Sequence, residues 1–163
     1  DYAPPPGRMR LIPGIRGSQI LDDTYNAAPE AMRAALDTLR SVSVERKIAV
    51  LGDMRELGIY TERAHREIGA LAAQCADLIY CVGEYARYIA DEIIARGFDP
   101  AKVFSYPDAA SAVAALAPII QKGDMVLIKG SQSSRMERVV EALMAHREAA
   151  GDLLVRQEAH WKG

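Results

Sequence analysis

Four short apolar runs recur along the chain: "KIAVLG" from Lys47, "DLIYCVG" from Asp77, "KVFSYP" from Lys102 and "DMVLIKG" from Asp124. Each is followed by a stretch in which apolar residues return every three or four positions. Ala64, Ile68, Leu71 and Ala72 do so after the first run, and Met136, Val139, Val140 and Leu143 after the last. Short runs bounded by turn residues predict strands, and the longer periodic stretches predict helices with one buried face. Because the runs are apolar throughout rather than alternating, both faces of each strand are expected to be covered, as in a parallel sheet between helices. Ahead of them, "MRLIPG" and "SQILDD" flank a turn containing Gly14 and Gly17 and are read as a hairpin-like start to the sheet. A helix from about Pro29 to Arg40 follows, with Met32, Ala35, Leu36 and Leu39 on its buried stripe. Thr61 and Asp108 are expected N-caps, and Gly97, Gly123 and Gly151 stand where a helix can end in a left-handed turn. Beyond Gly151, "DLLVRQ" is read as a further edge strand, whereas "EAHWKG" shows no pattern. The fold class predicted is α/β, a Rossmann-like, mostly parallel sheet with helices on both faces.

At 163 residues the chain fits one domain, and a domain of that size buries about 70% of its unfolded surface. The proline-rich opening "DYAPPPG" has the composition of a stiff spacer. Residues 1–7 are therefore read as an interdomain linker remnant, residues 8–150 as the domain proper and residues 151–163 as a C-terminal extension. The chain is expected to be a piece of a longer protein. The formal net charge of -2 with half the residues apolar gives no reason to expect nucleic acid or a membrane surface as partner. Cys75 and Cys81 fall on a predicted helix and strand, outside any CxxC or Cys/His cluster, and are read as buried thiols of a reducing cytoplasm. No metal site is expected.

In an open parallel sheet, ligands collect at the carboxyl ends of the strands. The loops there read "DDTYNAAP", "GDMRELG", "VGEY", "YPDA" and "KGSQSSR". The last places Lys129, Gly130 and three serine hydroxyls around a helix start, where free N–H groups favour an anion. Ser131, Ser133 and Ser134 serve equally well as helix caps, and "GDMRELG" is as readily a solvated turn, so the loops alone leave both readings open. His65, at the edge of an apolar helix face, is read as partly buried with no ligand. No serine or cysteine is accompanied by histidine in a nucleophile motif, and neither GxxxxGK[ST] nor GxGxxG is present, so the main phosphate grip is expected outside this chain.

Taken in order, "GRM", "LDDTYNAAPEAM", "AVLGDMRELG" with "HREIG", and "VLIKGSQSSRMERVVEAL" resemble the C-terminal domain of the Mur ligase family, over roughly Gly7 to Leu143. The resemblance implies a cytoplasmic, ATP-dependent amide ligase of peptidoglycan precursor synthesis. Such enzymes phosphorylate a carboxylate and let an amine attack the acyl phosphate. The branch implied adds D-Ala-D-Ala to UDP-MurNAc-tripeptide, with ATP and Mg2+ held mainly by a central domain carrying the P-loop. By motif match, Asp23 accepts hydrogen bonds from the ribose hydroxyls of ATP and Arg8 meets its phosphates. Tyr25, Asn26, Asp53, Arg55, Lys129, Gly130, Ser131 and Ser134 fall on the D-Ala-D-Ala side. The role of Lys129 and Gly130 as receivers of the dipeptide carboxylate rests on anion chemistry rather than on the motif. Two positions depart from the family pattern: Ala28 replaces an asparagine that would cap a helix, and Gln132 replaces an arginine. No catalytic residue is expected in this fragment alone, which is predicted inactive. The alternatives are a non-catalytic Rossmann-like nucleotide- or metabolite-binding module and a cyanophycin-synthetase-like amide ligase.

Overall fold

The apolar runs form the strands of one six-stranded sheet, seen in a computed structural model that describes residues 3–162. Asp1 and Tyr2 of the expected linker, and Gly163 of the expected extension, lie outside the described residues. The strands are β1 (Arg10–Pro13), β2 (Gln19–Asp23), β3 (Arg46–Gly52), β4 (Leu78–Val82), β5 (Val103–Tyr106) and β6 (Asp124–Lys129). Between and after them run α1 (Pro29–Ser41), α2 (Thr61–Cys75), α3 (Arg87–Ala95), α4 (Ala109–Leu116), α5 (Glu137–Leu143) and the short α6 (Ala150–Leu153). The hairpin is present, with β1 antiparallel to β2, and every other pairing is parallel in the order β1-β2-β6-β3-β4-β5.

Two apolar layers flank the sheet, as continuous strand hydrophobicity requires. Ala49 and Leu51 of β3 and Met125 and Leu127 of β6 pack under α1, α2 and α3. Their alternating neighbours Ile48, Val50, Val126 and Ile128 pack under α4, α5 and α6. The stripe of α1 is buried as its spacing predicts, with Met32, Leu36 and Leu39 at 0% exposure, each such burial contributing about 1.5–3 kcal/mol. Register is pinned at the start of the central pair by a bidentate ion pair: Arg46 Nε and Nη2 donate to the two oxygens of Asp124 at 2.8 and 2.7 Å.

Several local expectations need correcting. Asp108 caps α4 by accepting from the Ser111 amide, but Thr61 is the first residue of α2, and its hydroxyl turns back to donate to the Gly58 carbonyl. Gly97 and Gly123 are left-handed, whereas Gly151 lies inside α6. "DLLVRQ" forms no strand: Leu154 packs into the apolar layer under α4, α5 and α6, and Arg156 turns inward to a buried carboxylate. His65 is wholly rather than partly buried, at 0% exposure. Its Nε2 accepts the Met54 amide at 3.0 Å, so the proton sits on Nδ1, which donates to the Thr61 carbonyl at 2.6 Å. Burial holds this imidazole below its usual pKa, and the neutral ring bolts the β3–α2 loop to the first turn of α2. Cys75 and Cys81 are buried free thiols, the latter pushed up to about 12 by burial.

The cap of α1 is missing, as the sequence implies. Ala28 occupies the N-cap position in an extended conformation without a side-chain hydrogen bond, and its side chain is exposed. Ala28→Ser is therefore expected to stabilise the fold by about 0.5–1 kcal/mol, raising Tm in thermal unfolding by about 1–4 °C.

Candidate functional site

Insertion of β6 between β2 and β3 brings three loops, far apart in sequence, to one place. The carboxyl ends of β2, β6 and β3 lie side by side, with Asp23 opposite Lys129 and Lys129 opposite Leu51. The β2–α1, β6–α5 and β3–α2 loops thus share one edge of the sheet.

Adjacent residues of a strand point to opposite faces, and that separates the two aspartates. Asp23 faces α1, where its Oδ2 lies 2.7 Å from Lys129 Nζ and its Oδ1 accepts the Met9 amide at 3.0 Å. Lys129 is 3% exposed and also donates to the Asn26 carbonyl at 2.8 Å. Asp22 lies at 0% exposure on the other face. Its Oδ1 accepts the Thr24 hydroxyl at 2.6 Å, and its Oδ2 has no partner among the described residues. Desolvation raises the Asp22 pKa to about 6, against the opposing pull of the Thr24 hydrogen bonds.

Arg8 lies across the Tyr25 ring, its guanidinium carbon 3.9 Å from the centroid, and the Tyr25 amide donates to the Gly7 carbonyl at 2.9 Å. Gly7 has φ +71, and a Cβ there would sit 2.8 Å from Val155 and 2.9 Å from the Tyr25 amide, so this turn requires glycine. Arg8, Asp23, Tyr25, Asn26 and Lys129 line one cleft of about 460 Å³, floored by the small residues Ala31, Ala34 and Ala35 of α1.

A second cleft of about 730 Å³ opens between Asn26, Arg55, Ser131 and Gln132. Asp53 and Ser134, with Arg55, border a third of about 710 Å³. Asp53 itself is 1% exposed: its Oδ1 accepts the Tyr85 and Ala86 amides and its Oδ2 pairs with Arg55 at 3.0 Å. It braces β3 to the start of α3 and leaves Arg55, 42% exposed and stacked on Tyr85, as the outward cation. Ser131 is buried, its amide on the Asp53 carbonyl and its hydroxyl near those of Ser133 and Ser134. Gly130 presses against Gly52 and Met136, leaving no room for a side chain.

Lys129, read from the sequence as an open cation, is thus closed against Asp23. Arg135 does not stand in for the arginine absent at Gln132: it is left-handed, tied to Glu137 and stacked on Trp161. Glu137, Arg156 and Trp161 were missed from the sequence. The one available signal was an arginine inside the apolar run "DLLVRQ".

The family model described as Mur ligase, glutamate ligase domain, matches residues 7–132. The chain belongs to this family. Among its relatives, the UDP-N-acetylmuramoyl-tripeptide--D-alanyl-D-alanine ligase of Rickettsia prowazekii is 31% identical, over 86% of this chain and 30% of that protein. The ligase of the same name from Bacillus subtilis is 32% identical, over 84% of this chain and 30% of its own length. The crystal structure of MurF ligase from Thermotoga maritima in complex with ADP superposes with a TM-score of 0.74 at 30% identity, covering 93% of this chain and 33% of that one. The chain therefore spans about a third of the length of the Mur ligases it resembles, and the Rossmann-like α/β expectation holds.

The Asp22 carboxyl gives this Mur ligase domain a defined pH response. Its folded pKa lies above the unfolded value of 3.8, so below about pH 4 both states are protonated and no penalty exists. As pH rises from about 4 through about 6, the unfolded chain ionises first and stability falls, by about 3 kcal/mol in all. Asp22→Asn removes the titration. Urea unfolding between pH 4 and 7 is expected to show the variant gaining steadily on the parent chain as pH rises.

Proposed function

We propose that this chain is the C-terminal domain of an ATP-dependent ligase that joins D-Ala-D-Ala to UDP-MurNAc-tripeptide through an acyl phosphate, in the cytoplasm. Residues 8–150 form the domain proper, residues 1–7 are the remnant of its connection to the preceding domain, and residues 151–163 are an extension. The observation that carries the reading is the gathering of Arg8, Asp23, Tyr25 and Asn26 around one cleft beside that connection. The names of the relatives and the ADP complex of the Thermotoga protein support it. No helix of the described residues is long and apolar enough to cross a membrane.

An ionised carboxylate has about four acceptor sites. The Met9 amide and Lys129 occupy two on Asp23, leaving capacity for the two hydroxyls of a ribose. Lys129 and the Met9 amide hold that carboxylate in place. Arg8 is held flat by Tyr25, with its N–H fork unpaired among the described residues and suited to phosphoryl oxygens. On the dipeptide side, Arg55 offers its exposed guanidinium to a carboxylate, with Asn26, the Ser131–Ser134 turn and the Gly130 backbone shaping the pocket. Lys129 acts there only through Asp23 and Asn26. No group of three or more acidic, histidine or cysteine residues among those described could hold a metal. In this reading Mg2+ is held mainly by the central domain of the ligase.

A domain supplying one wall of the site cannot ligate by itself. The isolated chain is expected to release no ADP in the presence of tripeptide nucleotide and D-Ala-D-Ala, and to bind ATP too weakly for calorimetry. Tight, saturable ATP binding would favour a regulatory module instead.

In the longer ligase, Asp23→Asn is expected to lower kcat/KM for ATP about ten- to hundredfold, the worth of a hydrogen bond to a charged acceptor. Asp22→Asn should leave it nearly unchanged. Because Asp23→Asn also strips a buried lysine of its counter-charge, rates are to be referred to the folded fraction measured by circular dichroism. The reverse ranking would place the nucleotide contact at Asp22 and sink the assignment.

A further inference from the structure

The chain beyond α5 folds back over the carboxyl edge of the sheet, and Arg156 is its most buried charged residue, 9% exposed. Its Nε donates to Glu137 Oε1 at 2.8 Å, its Nη2 to the Thr24 carbonyl at 2.5 Å and its Nη1 to the Tyr25 carbonyl at 3.3 Å. Glu137, 1% exposed at the first turn of α5, gives its other oxygen to Arg135 Nε at 2.7 Å. Arg156 reaches this position through a left-handed backbone, φ +56, a conformation costing a non-glycine residue about 1–2 kcal/mol. One planar fork thus ties the buried start of α5 to two successive carbonyls of the loop that follows Asp23. A guanidinium suits this because its donors lie in one plane at fixed angles.

We propose that Arg156 is a positioning residue for the nucleotide side of the site. It holds the Thr24 and Tyr25 carbonyls, and through them the Tyr25 ring that carries Arg8 and the exit of the chain from Asp23. On the same face Asp22 accepts the Thr24 hydroxyl and amide, Lys129 reaches the loop from the α1 face at Asn26, and the Gly7 carbonyl takes the Tyr25 amide; among the described residues Arg156 is the charged side chain that grips the Thr24 and Tyr25 carbonyls. The loop is therefore held from both faces of the sheet, by Lys129 on one and by Asp22 and Arg156 on the other. The inference rests on the nucleotide role given to Asp23 and Arg8 above.

A merely structural arginine would lower stability and the folded fraction while leaving the kinetic constants of folded enzyme intact. A positioning arginine moves KM. In the longer ligase, Arg156→Gln is expected to raise KM for ATP about five- to tenfold, just under the direct loss of a charged hydrogen bond because the effect reaches the nucleotide only through the loop. The KM for D-Ala-D-Ala and kcat per folded enzyme should stay within about twofold. Arg156→Lys keeps the charge facing Glu137 but cannot span both carbonyls, and should fall between the parent and Arg156→Gln. If the glutamine variant does not fold, the lysine variant decides. Amide exchange in both should quicken at Thr24, Tyr25 and Asn26 ahead of the sheet. Should KM for ATP stay unchanged in the folded Arg156 variants while Asp23→Asn raises it, Arg156 is structural only, the proposal is overturned and the nucleotide reading stands. Should Asp23→Asn leave it unchanged as well, the nucleotide reading fails and takes the proposal with it.

Discussion

A buried ammonium at the end of the last parallel strand sets the terms for everything around it. At 3% exposure the Lys129 side chain needs a partner, since an isolated buried charge costs several kcal/mol. The ladder puts Asp23 directly across from it. The pair need not add net stability, because desolvating two ions offsets most of their attraction. What it supplies is position: Asp23 then fixes the Met9 amide, Lys129 fixes the Asn26 carbonyl, and the segments on either side of the cleft are joined through one ion pair.

Strand order is the second constraint, and it explains why three unremarkable loops make one site. Had β6 added at the edge beside β5, the serine turn would lie remote from Asp23. Inserted between β2 and β3, it sits between the other two loops, and the bidentate Arg46–Asp124 pair at the opposite end of the same strands resists any slip of register. The site's geometry is in this sense a property of the sheet.

Much of this is legible in the sequence itself. Period and run length located β3 to β6 and the stripe of α1, because apolar burial on two faces leaves a local imprint on sequence. Asp23, Arg8, Tyr25 and Asn26 could be brought together only by resemblance, since their meeting depends on which strands pair. Other errors share a cause. Lys129 looked free, His65 half-buried and "DLLVRQ" like a strand because the partner of each lies many residues away: Asp23, the Met54 amide and Glu137. A polar side chain whose partner is distant in sequence carries no local sign that it is satisfied. Gly151 and Thr61 are smaller misses, each one residue type with two common positions at a helix end.

The two thiols have a practical consequence. Cys75 and Cys81 are the only cysteines of the chain, both are buried, and burial holds both in the unreactive protonated form. The thiolate is the form that attacks an alkylating probe, so the native chain is close to silent towards maleimide dyes. Tyr60, 61% exposed just ahead of α2, could carry an introduced cysteine as the sole fast-reacting thiol. Within this chain a fluorophore placed there would need no cysteine-free background.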